Sequence, residues 1–152
     1  MEPPRTLEQR IADTVALLAK QHADIWVATA APDGDAHLVP LSYGWTGERI
    51  VLATDSTMVT ARNLLASRNA RLGTGHTRDV VMIDAELEAV HPVGAAPDEV
   101  AAPFVSQSDW DPRNEGDPYV FLTLRPTRIQ AWREGNEIAG RTLMRGGVWL
   151  EG

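Results

Sequence analysis

From Val80 to Val90 the chain alternates, with Val81, Ile83, Ala85, Leu87 and Ala89 separated by Met82, Asp84, Glu86 and Glu88. A helix would scatter both sets around its axis. An extended strand points successive side chains to opposite faces, so it gathers the apolar set toward a core and the charged set toward water. The pattern therefore predicts a long half-buried strand. Asp84, Glu86 and Glu88 could be imagined as an acid/base cluster, but every second position of a strand shares a face, and a solvated strand face is the simpler reading.

The other segments supply partners for it. Thr6 with Gln9 forms a capping box ahead of Leu7, Ile11, Val15 and Leu18, which predicts a helix ending near Gln21. Strands are predicted at Asp24 to Ala30, Ala36 to Trp45 and Arg49 to Thr54, with hairpin chemistry at Pro32-Asp33-Gly34 and Thr46-Gly47-Glu48. Ser56 or Thr57 can cap a short helix to about Ser67, with Val59, Leu64 and Leu65 as its buried side. A strand from Ala70 to Thr77 comes next. Ala96-Pro97-Asp98-Glu99 opens a third helix containing Val100 and Phe104, which gives way to a polar loop from Asp109 to Pro118. Two final strands, Tyr119 to Arg125 and Thr127 to Arg133, meet at Pro126, and a glycine-punctuated tail follows. Strands joined mostly by hairpins indicate an antiparallel α+β architecture, mainly β, either barrel or sandwich.

Fourteen basic and 21 acidic side chains give a net charge of −7, which argues against nucleic acid as a partner. There is no cysteine, so disulfides and thiolate metal sites are excluded. No apolar run approaches a membrane span, and the start lacks a signal-peptide pattern, so a soluble cytoplasmic protein is expected. No repeat or linker divides residues 1–152, and a single domain is expected, with its first helix within 1–22 and its tail over 136–152. Lys20 is the only lysine, against 13 arginines.

Few side chains announce chemistry unaided. His22, His37, His76 and His91 lie far from any local metal-ligand spacing, and no metal site is expected. Gly73-Thr74-Gly75 lacks the third glycine and following helix of a dinucleotide fingerprint. The tract Asp55 to Asn63 passes from strand end to helix start. Free backbone amides there, hydroxyls and Arg62 one turn in are what a phosphate dianion needs; alternatively Ser56 or Thr57 merely caps the helix and Arg62 faces water. Trp26 reads as core. Trp110 and Trp149 have no apolar segment to join, and such tryptophans often serve an interface or a flat aromatic ligand.

The order of helix, three-strand meander, Thr54-Asp55-Ser56 turn, Arg62-Asn63-Leu64 helix, alternating strand and closing Ala131-Trp132-Arg133 resembles the pyridoxamine 5′-phosphate oxidase-like flavin-binding split-barrel proteins. Within them, Ala70-Arg71-Leu72-Gly73 and the Trp132-Arg133 ending look like the actinobacterial flavin/deazaflavin oxidoreductase branch. The resemblance implies a six-stranded antiparallel split β-barrel that forms a homodimer, with FMN or the deazaflavin coenzyme F(420) in a groove between subunits. It places Pro40, Leu41 and Ser42 along the ring system. Thr54, Ser56, Thr60, Arg62 and Asn63 fall where the family grips the phosphate. Trp132 and Arg133 match the strand that completes the groove, and Thr77 and Arg78 its wall.

The implied activity is an oxidoreductase passing hydride between the cofactor and an unknown small molecule, with no catalytic side chain assigned. Many members carry a lysine where this chain has Thr60. Loss of a charge-assisted phosphate contact costs roughly 1.5–3 kcal/mol. This leaves open FMN, the deazaflavin with its longer polar tail, or a non-catalytic binding or sensing form.

Overall fold

A computed structural model describes residues 1–152. Its elements run α1 (Leu7–Leu18), β1 (Asp24–Ala30), β2 (Ala36–Trp45), β3 (Ile50–Asp55), α2 (Val59–Ser67), β4 (Asn69–His76), β5 (Asp79–Pro92), α3 (Asp98–Ser108), β6 (Tyr119–Trp132), β7 (Thr142–Arg145) and β8 (Val148–Trp149). The strands lie in the order β3-β2-β1-β4-β5-β6, and β3 pairs with β6, closing a six-stranded antiparallel barrel of the expected kind. β7 and β8 extend the sheet from the far half of β6.

β5 behaves as its alternation requires. Val81, Ile83, Ala85 and Leu87 enter the main core, while Met82, Glu86 and Glu88 are exposed. The outer carboxylates meet arginines: Asp84 pairs with Arg71 at 2.7 Å and Arg128 at 2.8 Å, Glu86 with Arg125 at 3.1 Å, and Glu88 with Arg49 at 2.6 Å. Asp84 stands directly opposite Arg71 on β4 and Arg128 on β6, so the charge ladder follows from strand register. Arg49 holds the Glu88 carboxyl below its usual range.

Several expectations need correction. Tyr119 to Trp132 is one strand rather than two. Pro126, which has no N–H to donate, sits opposite Ala85 at a register shift, with Thr127 as the extra residue and its hydroxyl donating to the Asp84 carbonyl at 3.1 Å. The glycine-punctuated tail carries two further strands: Gly146 and Gly147 both take positive φ, 58° and 79°, and turn β7 into β8. Trp149 then packs on the main core. α1 ends at Leu18, short of Gln21, and its buried side carries Arg10, Thr14 and Leu18 while Val15 is exposed.

α3 covers the outer face of β3 and the first half of β6 with a second core of Val51, Ala53, Val93, Val100, Ala101, Phe104 and Phe121. Trp110, expected to lack an apolar partner, joins this cluster edge-on to Phe104 at 5.7 Å and to Tyr119 at 6.1 Å. The helix approaches so closely because β2 carries Gly44 beneath Phe104.

Candidate functional site

β2 and β3 form a ladder only at Tyr43↔Leu52, Gly44↔Val51 and Trp45↔Ile50. Beyond it the two strands part company: β2 stays paired with β1 from Ala36 to Ser42, and β3 with β6 as far as Asp55. The barrel is therefore split at this seam. Pro40, Leu41 and Ser42 lie on one side of the opening, and Thr54 with Ser56 on the other. Three residues intervene after Asp55, and the helix α2 begins at Val59.

The start of α2 differs from the expected cap. Met58 is the N-cap residue and makes no side-chain hydrogen bond. Thr57 instead donates its amide and hydroxyl to the Asp55 carboxylate at 2.8 and 2.7 Å, which holds that carboxyl below its usual range. The first-turn amides of α2 are thus left without a side-chain acceptor, the condition under which a helix start accepts an anion. On the helix itself, Thr60 and Asn63 face inward, 3% and 5% exposed, beside Ala61 and Leu64. Asn63 donates to the Thr29 hydroxyl at 3.1 Å. Arg62 is exposed, and its guanidinium has no hydrogen-bond or ion-pair partner in the chain. Val59 and Leu65, expected inside, are exposed, because the apolar spacing of so short a segment fits two faces and the bonded Asn63 chose one.

Trp132, Arg133, Thr77 and Arg78 gather elsewhere. Thr77 and Arg78 form the β4–β5 turn, closed by His76↔Asp79, and Trp132 pairs with Val80. Arg133 contacts Asp79 at 3.3 Å and Asp13 at 3.6 Å, and Arg78 contacts Glu134 at 3.6 Å. Between the two groups runs an uncovered face of the barrel. Register aligns Pro40, Trp26, Gly73, Met82 and Gln130 across five strands, four steps of about 4.8 Å each. The single chain therefore does not bring all the predicted residues together.

That uncovered face is apolar. Trp26 is 52% exposed, not core as its sequence neighbours implied: Ile25 and Val27 take the inside, and period two sends Trp26 out. Leu38 at 60% and Met82 at 36% flank it, around a cleft of about 360 Å³ that Gly73 leaves open. A second cleft of about 580 Å³ lies where β1 and β4 diverge beyond Ala28 and Arg71; its charged members are Arg71, Asp84 and Glu86, and none of the predicted site residues lines it. The histidines join no group of three metal-ligating side chains. No helix is long and apolar enough to cross a membrane.

A family model described as pyridoxamine 5′-phosphate oxidase matches residues 11–133. The chain belongs to that family. No curated protein matches it. Among solved structures, an F420 reductase superposes with a TM-score of 0.61 at 19% identity, covering 75% of this chain and 93% of that one. A heme binding protein from Mycobacterium smegmatis gives 0.65 at 18% identity, covering 97% and 60% respectively. The General Stress Protein 26 from Bacillus anthracis gives 0.63 at 16% identity, covering 83% and 93%. At these identities the likeness is one of fold, and it agrees with the closed six-stranded barrel of this family member.

Proposed function

We propose that this family member is a flavin- or deazaflavin-dependent oxidoreductase, holding FMN or a coenzyme F(420)-type ring at the β2–β3 split and acting on a small molecule. The observation that carries the reading is the uncapped start of α2 beside Arg62, a guanidinium with no partner of its own, at the mouth of that split. Free amides and an unpaired arginine fit a phosphate group. Pro40, Leu41 and Ser42 offer an unpaired strand edge along which a flat ring can lie. Such a cofactor, when bound, supplies hydride chemistry; the protein's part is to bind it, orient it and keep water from it.

Trp132, Arg133, Thr77 and Arg78 lie across the apolar face from the split, and a homodimer closing over Trp26, Leu38 and Met82 brings one protomer's split toward its partner's β6 end. Burial of that face supplies the driving force. In sedimentation, the protein at micromolar concentration is expected to run as a dimer, and Trp26→Glu as a monomer. A monomeric wild type removes the shared groove.

Arg62→Ala is expected to weaken cofactor binding by roughly 1.5–3 kcal/mol, about one to two decades. Parallel titration with FMN and F(420), read by ring fluorescence and tryptophan quenching, checks this. Equal affinities of wild type and variant would take Arg62 out of the site.

A second reading, a cofactor-binding or sensing protein without turnover, draws on Thr60. It stands where many relatives carry lysine, and it is buried in the barrel rather than open to a ligand. Reduction of any acceptor by cofactor-loaded protein argues against it.

A further inference from the structure

A cleft of about 390 Å³ lies between α1 and the ends of β5 and β6, within the size range of small-molecule pockets, roughly 300–1,000 Å³. Leu17 from the helix and Val81 and Ala131 from the strands give it apolar walls. Thr14 also lines it. This residue is 1% exposed, and its hydroxyl has no hydrogen-bond partner. A buried threonine inside a helix can satisfy its hydroxyl on the carbonyl three or four residues back, and this one does not.

The charged rim divides into groups that are satisfied and one that is not. Arg5 is held by Glu137 at 2.8 Å and Asp13 at 3.1 Å, and Arg133 by Asp79 at 3.3 Å and Asp13 at 3.6 Å. Each rim carboxylate therefore already faces an arginine. Lys20 is the exception, an ammonium with neither an ion pair nor a side-chain hydrogen bond. A cationic ligand would have to displace an arginine from Asp13 or Asp79. An anionic one finds Lys20 unclaimed.

We propose that this cleft binds a small organic acid, with its carboxylate at Lys20, its apolar body between Leu17 and Val81, and the Thr14 hydroxyl meeting a polar atom of the ligand. The site shares only Arg133 with the cofactor reading and stands without it.

The test uses the full chain and three probes of one shape: benzoate, benzyl alcohol and benzylamine. Methyl resonances of Thr14, Leu17 and Val81 report occupancy without any activity assay. Benzoate is expected to shift them saturably, with benzyl alcohol and benzylamine each at least about tenfold weaker, the equivalent of one charge-assisted contact. Lys20→Gln, at an exposed position, is expected to weaken benzoate by about tenfold and to erase its advantage over benzyl alcohol. Thr14→Val keeps the side-chain shape and is expected to weaken benzoate several-fold. Benzoate that binds no more tightly than benzylamine or benzyl alcohol, unchanged affinity in Lys20→Gln, or no saturable shift at these methyls up to about 20 mM overturns the proposal.

Discussion

Gly44→Ala is expected to lift α3 from the barrel. A Cβ built at Gly44 lies 2.5 Å from the Phe104 Cα and 2.7 Å from its N, and both atoms belong to helix backbone that no rotamer change can move aside. Overpacking typically costs about 1–3 kcal/mol, and a clash with backbone belongs at the upper end, about 3 kcal/mol. Phe104 and Trp110 move together, since their rings meet at 5.7 Å, so tryptophan fluorescence should report the change alongside urea unfolding. Gly94→Ala is the control, because nothing lies within 4 Å of a Cβ there. Two variants with the same unfolding midpoint would show that α3 is not held by this contact.

Replacement of Glu137 by Gln should be as costly. This carboxylate, 2% exposed, accepts from the Arg5 backbone at 2.8 Å, from its Nε at 3.0 Å and Nη2 at 2.8 Å, and from the Arg133 amide at 2.9 Å. Arg10, also buried, fans its guanidinium onto the carbonyls of Arg5, Ala131, Glu137 and Gly140. Together these contacts clamp the N-terminal segment and α1 to the end of β6. Removing the buried partner leaves Arg5 with only the half-exposed Asp13 at 3.1 Å, and breaking a buried charge pair costs about 3 kcal/mol. The Arg5 hydrogen bonds hold the Glu137 carboxyl at about 2, below its ordinary 4.5. A group with a lowered folded value stabilises fully above its unfolded value. The wild type should therefore lose this increment as pH falls from about 4.5 toward 2, and Glu137→Gln should lack that slope. Parallel stability curves for the two proteins over this interval would disprove the clamp.

The antiparallel strands and hairpins were legible because their signals are local, whereas closure into a barrel rather than a sandwich was implied only by the family resemblance. Alternation in β5, the hairpin turns and the Thr6 capping box each act over a few residues, and the capping box forms as read, with the Thr6 hydroxyl accepting from Gln9. The errors have a common cause. Trp26, in an unbroken apolar run, gives no periodicity to say which face it takes; only its pairing with Pro40 and Gly73 puts it outside. Trp110 and Trp149 looked isolated because their apolar partners are distant in sequence. Pro126 marks a break in the sequence pattern because a missing N–H usually ends a strand, whereas a bulge opposite Ala85 accommodates it here.

The candidate site divides along the same line. Its residue types, an arginine one turn into a helix that follows a strand, were visible in Asp55 to Asn63. Whether Thr60 and Asn63 open outward or inward was not, since the helix could rotate until Asn63 found Thr29, 34 residues away. The Glu137 clamp gave no signal at all, because its arginine lies 132 positions earlier.

The sequence by itself determined that the strands are antiparallel, which faces of β5 meet core and water, and that metal–thiolate and disulfide chemistry are absent, because composition, period and turn residues act within a few positions. Tertiary structure alone decided where the barrel splits, which side of α2 is free, that Trp26 lies on an open apolar face, and that Thr14 and Lys20 border one cleft. Each of these depends on pairing between segments far apart in the chain, and that pairing is set by the closure of the whole sheet.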